Sequence, residues 1–336
     1  MSPGGSAPTD RPPTIYDVAA AAGVAASTVS RALSKPGRVS FKTAEHVRRV
    51  ASELGYRTEH HQRVPAGRST GLLAMMVADI TNPVFSGMIR GAERTARHAG
   101  SALMLLESEE SAESERELLD RIVPVVEGVV LSASRMTDAE IRTVAKTTPL
   151  VVVNRIVDQV PSVGGDSVPA VRRAVEHLGG LGHRTLTYLS GPEASWADGM
   201  RWRAVLDAGQ QLGVKVRRIG PQLPTLAGGQ SAAEAWGEAP TSAVIAYNDL
   251  VAIGFVRAVQ DRGLQVPGDV SVIGFDNIRD ADLVRPPLTT IASPLVSLGS
   301  AAVNLLLKKG AAGPAPAPVL LPDRLVLRSS TGPAGN

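Results

Sequence analysis

From residue 71 onward the sequence alternates short aliphatic runs with amphipathic stretches, and nothing else restricts its possible folds as much. Strand-like runs fall at 72–77, 102–106, 128–131, 150–153, 185–189, 214–219, 243–246 and 270–274, with helical spacing between them at 83–98, 169–181, 199–212 and 250–262. Strict β/α alternation predicts parallel, doubly wound sheets covered by helices on both faces. A body of about 260 residues is long for one open sheet and suits two. Such sheets bind ligands at the carboxyl ends of their strands. Those ends carry Asp79 and Asn82, Ser132, Asn154 and Arg155, Asn248 and Asp249, and Asp276 and Asn277, while Arg201 opens a helix. Asp, Asn and Arg make the paired hydrogen bonds that vicinal hydroxyls or a carboxylate require, although each is also a common turn or cap residue.

Residues 14–57 follow a different period. Thr14 is placed to cap a helix over residues 15–22, Gly23 and Val24 make a tight turn, and a second helix runs over 26–34 before Lys35, Pro36 and Gly37 stop it. Ser40 then caps a third helix to Leu54, with Val47, Val50, Ala51 and Leu54 at helical spacing and Gly55 as its stop. Ala19, four residues before Gly23, supplies the small side chain that two crossing helices need. In a helix-turn-helix the second helix enters the major groove. Here it carries Ala26, Ser27, Thr28, Ser30 and Arg31, and Arg31 can donate two parallel hydrogen bonds to guanine. The competing reading is an exposed helix face whose arginine pairs with a nearby acid.

Charge supports the division. Residues 1–70 hold 10 Lys and Arg against 5 Asp and Glu, a net of +5, and the remainder holds 25 against 27, a net of −2. A basic front on a near-neutral body is the footprint of a module that meets a polyanion. With zero Cys, disulfides, thiolate nucleophiles and Cys-ligated zinc are excluded. No apolar stretch approaches the ~18 residues of a membrane span, and residues 1–13 lack the apolar run of a signal peptide, which points to a cytoplasmic protein. Residues 1–13 are expected to form a disordered tail.

The residues Thr14-Ile15-Tyr16-Asp17-Val18-Ala19, Ala22-Gly23-Val24, Ser27-Thr28-Val29-Ser30-Arg31-Ala32-Leu33, Val39-Ser40 and Leu54-Gly55-Tyr56 resemble the headpiece of the lactose-repressor (LacI/GalR) family. The resemblance implies that Ala26, Ser27 and Arg31 read bases and that Thr14, Tyr16, Thr28, Ser30, Ser34 and Arg38 hold phosphates. Ala25 departs from the family's usual Ser or Thr, which would cap the recognition helix. Residues 58–70 would be the hinge linker, where Pro65 occupies the place of a minor-groove leucine and Val64 is the nearby aliphatic substitute. His60 and His61 are adjacent and therefore do not share a helix face.

The body carries further family-like motifs: Asp79-Ile80-Thr81-Asn82-Pro83, Leu181-Gly182-His183-Arg184, Asn248-Asp249, Gly274-Phe275-Asp276 and Pro287-Leu288-Thr289-Thr290. They are similar to the periplasmic-binding-protein-like sensor of the same family. By that resemblance Ser132, Arg155, Arg201, Asn248 and Asp276 contact a small polar effector such as a sugar, with Ile80 and Phe85 as apolar lining, while Asp249, Gly274 and Pro287 are scaffold. The family's stacking aromatic is absent from Gln222-Leu223-Pro224-Thr225, which leaves Trp196 or Trp202 as substitutes or as packing residues. The implied fold is an all-α helix-turn-helix headpiece plus an α/β two-lobed sensor spanning residues 71–336. Its N-lobe would take about 71–164 and 294–321, and its C-lobe about 165–293 and 322–330. After residues 310–318, rich in Pro and Ala, no leucine heptad follows, which points to a homodimer on a palindromic operator.

The implied function is a ligand-responsive DNA-binding transcription regulator, a repressor, with no cofactor and no metal. The alternatives are a solute-binding protein or a doubly wound α/β enzyme with a basic N-terminal extension. The sequence lacks phosphate-loop, zinc-protease, nucleophile-elbow and dinucleotide motifs, and His177 and His183 lack the register of a helical metal site. The missing signal peptide argues against the solute-binding protein, and the headpiece argues against both.

Overall fold

The computed structural model describes residues 14–34, 39–54, 70–308 and 317–335. The expectations for the tail at 1–13, for Arg38, for the hinge residues Val64 and Pro65 and for the histidines His60 and His61 fall outside them, as does the side chain of Ser34. Two compact units divide near residue 66.

The first unit contains α1 (Ile15–Ala22), α2 (Ala26–Ser34) and α3 (Phe41–Glu53). Thr14 closes a capping box on α1: the Asp17 N–H donates to its hydroxyl at 3.4 Å, and its own N–H donates to the Asp17 carboxylate at 2.7 Å. Gly23, at φ 64°, ends the helix in the left-handed conformation that glycine adopts without strain. Thr43 N–H donates to the Ser40 hydroxyl at 3.2 Å at the start of α3. Val18, Ala22, Val29, Ala32, Val47 and Val50 point inward to one small core.

The second unit runs β1 (Leu72–Val77), α4 (Pro83–His98), β2 (Ala102–Glu107), α5 (Ala112–Ile122), β3 (Gly128–Ser132), α6 (Asp138–Ala145), β4 (Leu150–Val153) and β5 (Ser162–Asp166). It continues through α7 (Val168–Gly180), β6 (Thr185–Leu189), α8 (Trp196–Leu212), β7 (Lys215–Ile219), α9 (Leu226–Gly237), β8 (Ala243–Ala246), α10 (Asp249–Asp261), β9 (Ser271–Asp276) and α11 (Asp280–Leu283). It finishes with β10 (Thr289–Ala292), α12 (Leu295–Leu307), β11 (Val319–Pro322) and β12 (Arg324–Val326). The described strands form two sheets, ordered β11-β5-β4-β3-β1-β2 and β12-β10-β9-β8-β6-β7. The strand pairs are parallel except β10 with β12. The two-lobed, doubly wound architecture expected from the alternation is therefore present.

Buried aliphatic strands explain the layering. Met75, Val130, Val151 and Val153 point to the side of the first sheet covered by α4 and α12, and Ala74, Met76, Leu131 and Val152 point to the side covered by α5 and α6. Helices α4 and α12 cross closely because both contribute glycine at the contact. A Cβ on Gly91 would lie 2.0 Å from the Val296 carbonyl oxygen, and one on Gly299 would lie 1.9 Å from that of Met88. The chain passes between the sheets three times: after Asp166 into α7, after Ala292 into α12, and at Asp323, the one residue between β11 and β12. These crossings meet where the strands' carboxyl ends face one another.

Candidate DNA-reading surface and interlobe cleft

In the first unit α2 separates its faces cleanly. Val29 and Ala32 are buried, whereas Ser27, Ser30 and Arg31 are exposed and Ala26 and Thr28 are half-buried. Arg31 has no ion-pair partner among the described residues, so the pairing that would have made it structural is not found there. Tyr16 on α1 is 73% exposed, an unusual position for a tyrosine unless its ring or hydroxyl meets a partner. The Thr14 hydroxyl donates to Asp17 at 2.6 Å, so it serves the cap. At the start of α2, Ala25 offers its carbonyl to the N–H groups of Thr28 at 2.8 Å and Val29 at 3.1 Å, but alanine has no side-chain acceptor for the helix's first donors.

In the second unit a cavity of about 170 Å³ lies between the two sheets at the chain crossings. Arg155, Asp166, Arg201, Ser293 and Asp323 give it polar groups, and Trp196, Met200, Phe275 and Leu320 give it an apolar wall. Both arginines are held by hydrogen bonds to neighbouring residues. Arg155 Nη1 donates to the carbonyls of Ser134 at 3.2 Å and Met136 at 2.6 Å, and its Nη2 donates to Asp138 at 2.6 Å. Its Nε is buried without a partner. Arg201 Nη1 donates to the Tyr247 carbonyl at 2.5 Å and Nη2 to Asp276 at 2.9 Å, and the guanidinium lies 3.7 Å from the centre of the Phe275 ring. Asp276 itself sits at φ 100°, a conformation rare for any residue but glycine. Burial lifts its carboxyl above the ordinary range, and Arg201 partly opposes the lift.

The other residues expected to contact a ligand follow or end strands but are not among those that line this cavity. Phe85 is in the core. Ser132 is buried and directs its hydroxyl at the Met88 sulfur, 3.7 Å away. Asn248 caps α10, accepting from the Val251 N–H at 2.8 Å and donating to the Pro224 carbonyl at 3.1 Å. Ile80 is half-exposed in the turn before α4, its N–H donating to Glu107 at 2.9 Å. Asp249 bridges elements: it accepts from Thr290 at 2.6 Å and from the Ile278 N–H at 2.8 Å, and burial followed by the Asp276 charge pushes its carboxyl up to about 8. Of the two tryptophans weighed as stacking residues, Trp196 lines the cleft and Trp202 packs on Tyr188 with centroids 5.8 Å apart.

Sequence reasoning missed Asp166, Ser293 and Asp323. All three follow or end strands: the rule that pointed to Arg155 reaches Ser293 after β10 and Asp323 after β11, but not Asp166, because β5 carries no aliphatic run. A larger cavity of about 520 Å³, lined by Leu73, Glu127, Thr148 and Leu306, opens at the amino ends of β1, β3 and β4. Parallel sheets of this kind place ligands at the opposite end. Among the described residues no helix is long and apolar enough to cross a membrane, and no group of three acidic, His or Cys residues could hold a metal.

Comparison with known proteins agrees with both units. Residues 14–59 match the bacterial regulatory proteins of the lacI family, and residues 175–331 match a periplasmic binding protein-like domain. The HTH-type transcriptional repressor CytR of Escherichia coli (strain K12) is 33% identical over 307 residues, 88% of this chain and 89% of the repressor. The crystal structure of the lac repressor dimer bound to operator and the anti-inducer ONPF superposes with a TM-score of 0.72 at 26% identity, covering 96% of this chain and all (100%) of that one. The transcriptional regulator CelR–cellobiose complex gives 0.70 at 27% identity, covering 95% and 99%. The chain therefore belongs to the lacI family of bacterial regulatory proteins and is a DNA-binding regulator of transcription, not an enzyme.

Proposed function

We propose that this protein is a cytoplasmic, homodimeric repressor whose affinity for a palindromic operator is set by a small polar effector, a sugar or sugar derivative, held in the cleft between the lobes. The observation that carries the effector reading is the cleft itself: at the carboxyl ends of the strands it joins an aromatic and thioether wall to buried polar atoms without partners, Arg155 Nε and Asp323 Oδ1. The combination suits a ligand with apolar faces and hydroxyl edges. Binding pockets typically span about 300–1,000 Å³, so a cleft of about 170 Å³ takes a small ligand or opens to admit one. The complexes of related regulators with operator and with cellobiose support the pairing of these two ligand classes.

Within the headpiece, taken as residues 14–57, Ala26, Ser27 and Arg31 read base edges, and Thr14, Tyr16, Thr28, Ser30, Ser34 and Arg38 hold phosphates. Val64 and Pro65 enter the minor groove. In the cleft, Arg155 and Arg201 contact the effector directly, and Asp276 acts by fixing Arg201. Effector binding shifts a two-state equilibrium in lobe angle, and the state it prefers sets operator affinity. Selection of bound duplexes from a random DNA pool, at near-physiological salt, tests the reading. A two-fold symmetric consensus is expected. A non-symmetric consensus, or no enrichment with or without a sugar mixture, contradicts it.

A further inference from the structure

Asp323 occupies an unusual place. As the single residue between β11 and β12 it stands at one crossing of the two lobes, and its N–H donates to the Asp166 carbonyl at the second crossing, 3.2 Å away. Ser293, at the third crossing, lines the same cavity. Asp323 is only 6% exposed, yet its Oδ1 accepts no hydrogen bond. Room for that oxygen exists because position 165 is glycine, where a Cβ would lie 2.6 Å from Oδ1. A buried carboxylate oxygen left unpaired is destabilising, and its persistence at a cavity wall calls for a partner supplied from outside the chain.

The charges around it point to the kind of partner. Arg201 is shared between Asp276 and the Tyr247 carbonyl, and both Nη atoms of Arg155 are bound within the N-lobe, one of them to Asp138. Asp166 and Asp323 are left as carboxylates with no ion-pair partner among the described residues. With Arg155 offset by Asp138 and Arg201 by Asp276, the two carboxylates of the wall are the charges left unbalanced, and an anion entering the cleft meets like charge in a poorly solvated space.

We infer that Asp323 is an effector-contacting carboxylate, so that the cleft accepts polyhydroxy ligands that are neutral or bear an amine and rejects phosphorylated or carboxylated ones. The inference rests on the cleft being the effector site. A hydroxyl is well suited here because it can donate to a carboxylate and accept from an arginine, the two functions that Asp323 Oδ1 and Arg155 Nε leave open. Contact at Asp323 also acts on a crossing strand directly, which joins recognition to lobe movement. Burial, opposed by Arg201 and Ser293 and reinforced by Asp276 and Asp166, lifts the Asp323 carboxyl to about 6. A donor from the ligand favours the ionised form, so affinity falls as pH drops through that value.

The test uses the full chain and matched probe sets: glucose, glucosamine, gluconate and glucose phosphate; ribose and ribose phosphate; cellobiose and cellobiose phosphate. Each is titrated calorimetrically against wild type and Asp323→Asn at about pH 5 and about pH 8. The expected result is binding by neutral or amine members only, weakened about tenfold or more in Asp323→Asn, with a loss of affinity at low pH that the variant does not share. Binding by the phosphates or gluconate at equal or higher affinity overturns the inference. So does unchanged affinity in Asp323→Asn, or the failure of every neutral and amine probe. Random-pool DNA selection separates the two readings, because a chain that enriches a symmetric operator while Asp323→Asn binds sugar as wild type does loses only the role of Asp323.

Discussion

Replacing Arg201 with methionine keeps most of the aliphatic stem and removes the cation from a buried ion pair. The Arg201 side chain is 12% exposed and that of Asp276 only 6%, and the substitution also strips a donor from the Tyr247 carbonyl and the cation from the Phe275 face. Breaking a buried pair on one side costs about 3–5 kcal/mol, because the remaining charge stays desolvated. Its pH dependence has a definite sign. Burial already holds the Asp276 carboxyl above the ordinary range against the pull of Arg201, so deleting Arg201 raises it further. The folded variant then keeps a proton that the unfolded chain releases near pH ~4, which makes the variant's deficit smaller at about pH 5 than at about pH 8. Adding Asp276→Asn removes this dependence and restores part of the loss, with a coupling of roughly 1–3 kcal/mol. Urea denaturation followed by tryptophan fluorescence measures both effects, since all three tryptophans, at 196, 202 and 236, lie on helices in the chain between β6 and β8. A loss below about 1 kcal/mol at pH ~8, or one that does not shrink on acidification, refutes the reasoning.

Arg31→Ala should cost about 1–3 kcal/mol on the selected operator and relax preference at one base position, as read by fluorescence anisotropy on single-base variants; equal losses on operator and random DNA contradict base reading. Tyr16→Phe, at the exposed position proposed to hold a phosphate, should weaken all sequences alike in the same assay. Ala25→Ser supplies the missing cap and should stabilise α2 by about 0.5–1 kcal/mol, seen as slower amide exchange at Thr28 and Val29; unchanged exchange counts against it. The His183 ring, buried between Ser242, Ser271 and the Gly332 carbonyl at 2.8–3.0 Å, is held below the usual imidazole range by burial. It stays neutral while the unfolded ring protonates, so its contribution to stability is present above about pH 6.5 and declines below it. Imidazole NMR that shows His183 titrating at or above that value would contradict the assignment.

The sequence predicted best where one physical signal dominated. The bounds of α1 and α2, and of β1, β4 and β6, coincide with runs of aliphatic residues or with caps and glycine stops. Strand β5 escaped because Ser162-Val163-Gly164-Gly165-Asp166 has no aliphatic run; it exists through its pairing with β4 and β11. At the site, Arg155 and Arg201 lie on the cleft wall. Asn248 carries the same chemistry, but its side chain is consumed by the cap of α10 and by Pro224. Asp166 and Asp323 are 157 positions apart, and only the parallel pairing of β5 with β11 makes them neighbours, which no local pattern reports.

The central claim is that one site governs the other, and the operator dissociation constant measured with and without saturating effector addresses it most directly. Coupling of the usual size, about 1–3 kcal/mol, predicts a change of roughly 5–150-fold, abolished when the cleft is disabled by Arg155→Ala. An operator affinity that stays the same from zero to saturating ligand, with binding in the cleft verified by calorimetry, would contradict the account.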